Sequence, residues 1–128
     1  MLVTLSACLA PISADAPHVQ VVRVLNTTLD HDLKDGVERS STMRRLVRRI
    51  ERSDLIVHVV AGVPRLDRPH PAAGSTRFVG AHGGRRYLRI MVDEALDADT
   101  RAAVLAHELQ HALEVAQARD VVDQASFE

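Results

Sequence analysis

Apolar and polar positions divide the chain into short runs of two periodicities. His18 to Leu25 is rich in Val and predicts a strand, although its apolar residues do not alternate cleanly. Asn26, Thr27 and Thr28 supply cap chemistry for a helix that starts near Leu29 and continues through Leu33 and Val37. Gly36 weakens its middle and Ser40 or Ser41 restarts or recaps it. Met43, Leu46, Val47 and Ile50 then recur at helical spacing as far as Arg52. Leu29 to Arg52 is therefore one kinked helix or two short ones. Asp54 to Ala61 predicts a buried strand, and Gly62 to Gly74, with Pro64, Pro69 and Pro71, predicts a loop. Ser75 to Ala81 and Arg86 to Val92 flank His82-Gly83-Gly84, where a glycine pair that tolerates positive φ predicts a hairpin. In its second strand Tyr87, Arg89 and Met91 alternate with Leu88, Ile90 and Val92, the pattern of a sheet with one covered and one more open face. Asp97 or Asp99 caps a final long helix from about Ala98 to Ala118, and Val121 to Glu128 begins another capped segment.

The long helix carries the chemistry. At about 100° per residue, Leu105, Leu109, Ala112, Leu113 and Ala116 form one apolar stripe, while His107 and His111 fall on a different face with Val104 between their directions. Helix residues four apart lie about one turn apart, so both imidazoles can reach a single metal ion. Glu108 stands beside them, placed to work on a water bound to that ion. The plain alternative is a surface helix with two solvated histidines and a carboxylate.

This His-Glu-x-x-His pattern, within Ala103 to Ala116, resembles the active-site helix of the zincin metallopeptidases. The resemblance covers roughly Leu29 to Ala118 in the order of elements, but only His107 to His111 in specific motif. It implies an α+β fold, with a small twisted, mostly antiparallel sheet packed on an N-terminal helical segment and on the active-site helix. It further implies a zinc ion held by His107 and His111 and a peptide or protein substrate. The metal would lower the pKa of its water to about 7. Glu108 would act as general base and then general acid. An edge strand, here Ser75 to Ala81, would hold the substrate as an added strand.

The third ligand departs from the family pattern. Glu114 and Gln117 stand where a metzincin has Gly and His, and a gluzincin would supply a Glu farther downstream. Asp120, Asp123 and Glu128 are the carboxylates within the chain, with Asp120 or Asp123 similar to the aspzincin variant. Glu114 lies about 10 Å along the axis from His107, which suits a group supporting a histidine better than a shared ligand. We expect residues 17–128 to be a zincin-like catalytic domain without its C-terminal part, its third ligand among those carboxylates or beyond the chain end. The alternative is a metal-binding or truncated, inactive module of the same kind.

Composition narrows this picture further. A chain of 128 residues, 46% hydrophobic, holds one core rather than two. With 16 basic and 17 acidic residues it presents no global positive field, so no nucleic-acid partner is expected. Arg44, Arg45, Arg48, Arg49 and Arg52 read as a solvated helix face with cations near its C-terminus. Two Phe, one Tyr and no Trp leave no stacking platform. Cys8 is the lone cysteine, so zinc must be held by His and carboxylate rather than by thiolates. Residues 1–16 resemble a leader: Leu5-Ser-Ala-Cys8 is similar to a lipobox, and Ala14-Asp-Ala16 to a signal-peptidase site. Both imply an extracytoplasmic protein, with membrane attachment only through a lipidated Cys8; a cytoplasmic protein with an ordinary N-terminus is the alternative. His58, inside an apolar run, reads as a packed core or edge histidine, and His70 as a loop residue able to reach a cleft.

Overall fold

The computed structural model describes residues 20–63 and 73–128. The leader with Cys8, the first two residues of the Val-rich run, the three loop prolines and His70 lie outside the described residues. The elements are β1 (Val22–Val24), α1 (Thr27–Arg39), α2 (Ser41–Glu51), β2 (Leu55–Ala61), β3 (Gly74–His82), β4 (Arg85–Val92), α3 (Ala98–Gln117) and α4 (Gln124–Phe127).

Helices α1 and α2 are two helices rather than one kinked one, and Ser40 is the reason. Its backbone is extended, its N–H donates to Gly36 O at 2.8 Å, and its Oγ accepts from Met43 N at 3.2 Å. One residue thus ends α1 and starts α2. Arg44 folds back from α2 and donates to Val37 O and Glu38 O, two carbonyls left over at the end of α1. Asn26 caps α1 through Leu29 N, and Asp97 caps α3 through Thr100 N.

The four strands form one sheet in the order β1-β2-β4-β3. The expectation of a mostly antiparallel sheet is wrong: β1 pairs with β2 and β2 with β4 in parallel, and only the β3–β4 hairpin is antiparallel. A hairpin is announced by its turn, here Gly83 and Gly84 at φ 58° and 76°. Parallel pairing requires a crossover, and nothing in the strands themselves marks which distant segment they join. The fold is α+β with a small mixed sheet and four helices.

One face of that sheet is covered. Leu55, Val57 and Val59 of β2 and Leu88, Ile90 and Val92 of β4 are all fully buried, in one cluster with Leu29 of α1, Ile50 of α2 and Leu105 and Leu109 of α3. The apolar stripe expected on α3 is the stripe that packs, with Val115 added to it. On the other face His58 lies in register between Arg23 of β1 and Arg89 of β4. A buried ion pair joins the first and third helices: Arg101 Nε donates to Asp32 Oδ2 at 2.7 Å, with both side chains largely withdrawn from solvent. Among the described residues, no helix is long and apolar enough to cross a membrane.

Candidate metal centre

Helix α3 packs through Leu105, Leu109, Ala112 and Leu113, which turns His107 and His111 outward. The two rings converge, with centroids 4.6 Å apart, planes at 89°, and the Nε2 atoms separated by 3.1 Å. Two imidazole nitrogens on one tetrahedral zinc, each at about 2.0–2.1 Å, lie about 3.3 Å from each other. The pair is thus within a few tenths of an ångström of the span that a shared ion requires. The same separation is a hydrogen bond when one ring carries the proton.

Glu114 biases that choice. Its Oε2 lies 3.3 Å from His111 Nδ1, the nitrogen turned away from His107. A carboxylate there favours the tautomer with its proton on Nδ1, which leaves the Nε2 lone pair for a metal. Glu114 thus contacts the far side of one histidine and leaves the space between the rings clear.

Glu108 lies on the flank of the histidine face that turns toward β3. The residue is only 6% exposed, and Thr76 Oγ1 donates to its Oε2 at 2.6 Å. Gly74 is the residue that permits this approach. A Cβ added there would lie 2.5 Å from Val104 Cγ1, 3.1 Å from Glu108 Cγ and 3.2 Å from Glu108 Oε1. Strand and helix meet with no space for a side chain, so a carboxylate that would otherwise stand in solvent is held against the edge of the sheet. Neither Gly74 nor Thr76 was assigned a role from sequence; a glycine two residues before a hydroxyl at a strand start was the available signal.

The segment Ser75 to Ala81 does lie in the edge strand, β3. Part of that edge is already occupied. Phe78 N–H donates to Gln124 Oε1 of α4 at 2.9 Å, while Gly74 and Thr76 lie along α3.

The candidate third ligands do not join the pair. Among the described residues, no three His, Cys, Asp or Glu side chains are gathered so as to hold a metal ion. Asp123 is the N-cap of α4, and hydrogen bonds from the Ser126 backbone and hydroxyl hold its carboxyl below the usual carboxylate range. Glu128 Oε1 accepts from Gln124 Nε2 at 3.1 Å, and Asp120 is exposed. His58 is half-buried on the sheet face away from α3. Desolvation first, and then Arg23 and Arg89, lower its pKa below the usual imidazole value. It is a sheet histidine, as its apolar surroundings suggested.

A second polar group, at the C-terminal end of α3, has no counterpart among the residues singled out from sequence. Arg86 begins the covered row of β4 and is 5% exposed. Its Nε and Nη2 donate to Asp54 Oδ2 and Oδ1 at 2.7 and 2.8 Å. Its Nη1 donates to Val115 O, Ala118 O and Val121 O at 2.9–3.0 Å, and its Nη2 also reaches Ala116 O. The guanidinium therefore satisfies the carbonyls that a helix leaves open at its C-terminus. Its bond to Asp54 holds that carboxyl below the usual range. The signal was the row Arg86, Leu88, Ile90, Val92, which places an arginine at a buried position. Comparison of the chain with protein-family models, with curated proteins and with solved structures gave no match.

Proposed function

We propose that the chain is a zinc-dependent metallopeptidase of zincin type, with His107 and His111 as metal ligands and Glu108 as general base. The observation that carries this reading is the 3.1 Å separation of the two Nε2 atoms on one turn of α3. A zinc ion held there supplies Lewis acidity for a carbonyl and makes a water acidic enough to lose its proton near neutral pH. The chain's own contribution is positional. Glu108 is kept beside the histidine face by Thr76, which occupies one carboxylate oxygen and leaves the other to take a proton and hand it to a leaving amine. β3 is the sheet edge next to Glu108, and an extended peptide would add as a strand only along the part of it that Gln124 and α3 leave open. A catalytic zinc takes three protein ligands, and two are brought together among the described residues. That two-donor set favours a second reading, a metal-binding module without turnover.

The experiment takes untagged protein through zinc analysis and then through cleavage of an unfolded protein substrate. One zinc per chain is expected in the parent, and little in His107→Ala or His111→Ala. Glu108→Gln is expected to keep its zinc and lose about 10²–10⁴-fold in turnover. Equal, substoichiometric zinc in parent and histidine variants would sink the metal assignment. Stoichiometric zinc without cleavage by the parent would select the binding module.

A further inference from the structure

Beyond the histidine pair, a concavity lies at the C-terminal end of α3. It is an open cleft of about 1100 Å³ between the end of α2, the β3–β4 turn and the residues after α3. Five arginines line it, against a single carboxylate, Asp54. Asp54 is already engaged by Arg86 through two hydrogen bonds. Among the described residues, Arg49, Arg52, Arg85 and Arg119 have no carboxylate partner, whereas Asp30, Asp32 and Asp35 elsewhere each pair with a cation. His82 adds a further nitrogen donor to the wall. In a chain whose net charge is −1, this is a local concentration of positive charge from three separate stretches, not a basic protein at large.

We propose that this cleft binds a compact polyanion carrying two or more phosphate or carboxylate groups. Guanidinium forks match both groups in geometry as well as charge. Like charges around a concavity focus their field into it. The carbonyls at the end of α3 would otherwise repel an anion, and Arg86 caps them from behind. The volume is at the upper end of small-molecule sites, which run to about 1,000 Å³, and exceeds what a single phosphate would fill. No Phe, Tyr or Trp lines it, so recognition rests on charge and hydrogen bonding rather than on a stacking platform for a base.

The test is calorimetric titration of the full chain with tripolyphosphate, citrate and a thymidine oligonucleotide. Saturable binding at one site is expected for tripolyphosphate or citrate, and the tighter of the two identifies the anionic group. Arg52 and Arg119 are exposed, so replacing both with Gln leaves the core untouched; the double variant is expected to bind at least about tenfold more weakly. The control pair Arg45→Gln and Arg48→Gln removes the same charge from the same helix region outside the cleft, and should change affinity less than about twofold. His107→Ala with His111→Ala should leave binding unchanged, which separates this site from the metal reading. Absence of saturable binding by either small anion, equal losses in the two arginine pairs, or tighter binding of the oligonucleotide would each overturn the proposal.

Discussion

About two turns of α3 separate the histidine pair from the carbonyls that Arg86 caps, and the polar groups at the two places are treated differently. At the C-terminal end the guanidinium is buried, and its hydrogen bonds run to Asp54 and to four backbone oxygens. At the histidine end Glu108 is buried and anchored by Thr76, while His107 and His111 face each other across 3.1 Å in an exposed position. The first is a closed network whose value is stability. The second holds two imidazole nitrogens close together in an exposed position, near the span that a shared ion would require. Among the described residues no buried side-chain nitrogen or oxygen lacks a partner.

Mutations can break that contrast in order of size. Arg86→Met should cost about 3 kcal/mol, because it strips the helix end and Asp54 of their donor at once. The double variant His107→Ala with His111→Ala should change stability by less than about 0.5 kcal/mol. Urea unfolding of both measures the difference, and equal losses would mean that the histidines pack rather than wait for a ligand. Thr76→Val should destabilise by about 2 kcal/mol, because it leaves the buried Glu108 carboxylate without its hydroxyl donor. A shifted urea midpoint with unchanged slope is the expected readout.

Glu114→Gln should leave unfolding unchanged and weaken zinc binding about tenfold, measured by competition with a chelating dye. The smallest effect is a pH effect at the closed end. Asp54 titrates in the folded chain below its ordinary value of 3.8 because Arg86 bonds its charged form. The unfolded chain therefore binds more protons there. The stabilisation is complete above that value and is lost as pH falls through the lowered one. Comparing unfolding at pH 5 and at pH 3, the acid loss should be shallower in Asp54→Asn than in the parent.

Most of the elements were legible because their causes are local. Ser40, Asn26 and Asp97 cap helices with their own side chains, the Gly83-Gly84 pair sets a turn, and alternation along β4 separates a covered from an open face. The convergence of His107 and His111 was legible for the same reason, since a spacing of four on one helix brings two rings together without help from the rest of the chain. The sheet was misjudged as mostly antiparallel because its parallel pairings join segments more than thirty residues apart.

What the sequence determined alone is thus a set of helices, strands and one helix face on which two histidines converge, each set by neighbours within a few positions. The tertiary structure alone decided that β3 is the edge beside Glu108, that Thr76 and Gly74 hold that carboxylate in place, and that Asp120, Asp123 and Glu128 stay apart from the histidines. It also decided that Arg86 turns inward to close the helix while Arg49, Arg52, Arg85 and Arg119 gather around one cleft. The physical reason is one of range. Capping, turns and periodicity act through a residue's own backbone, whereas buried charge and converging arginines depend on which distant segments the closing core brings together.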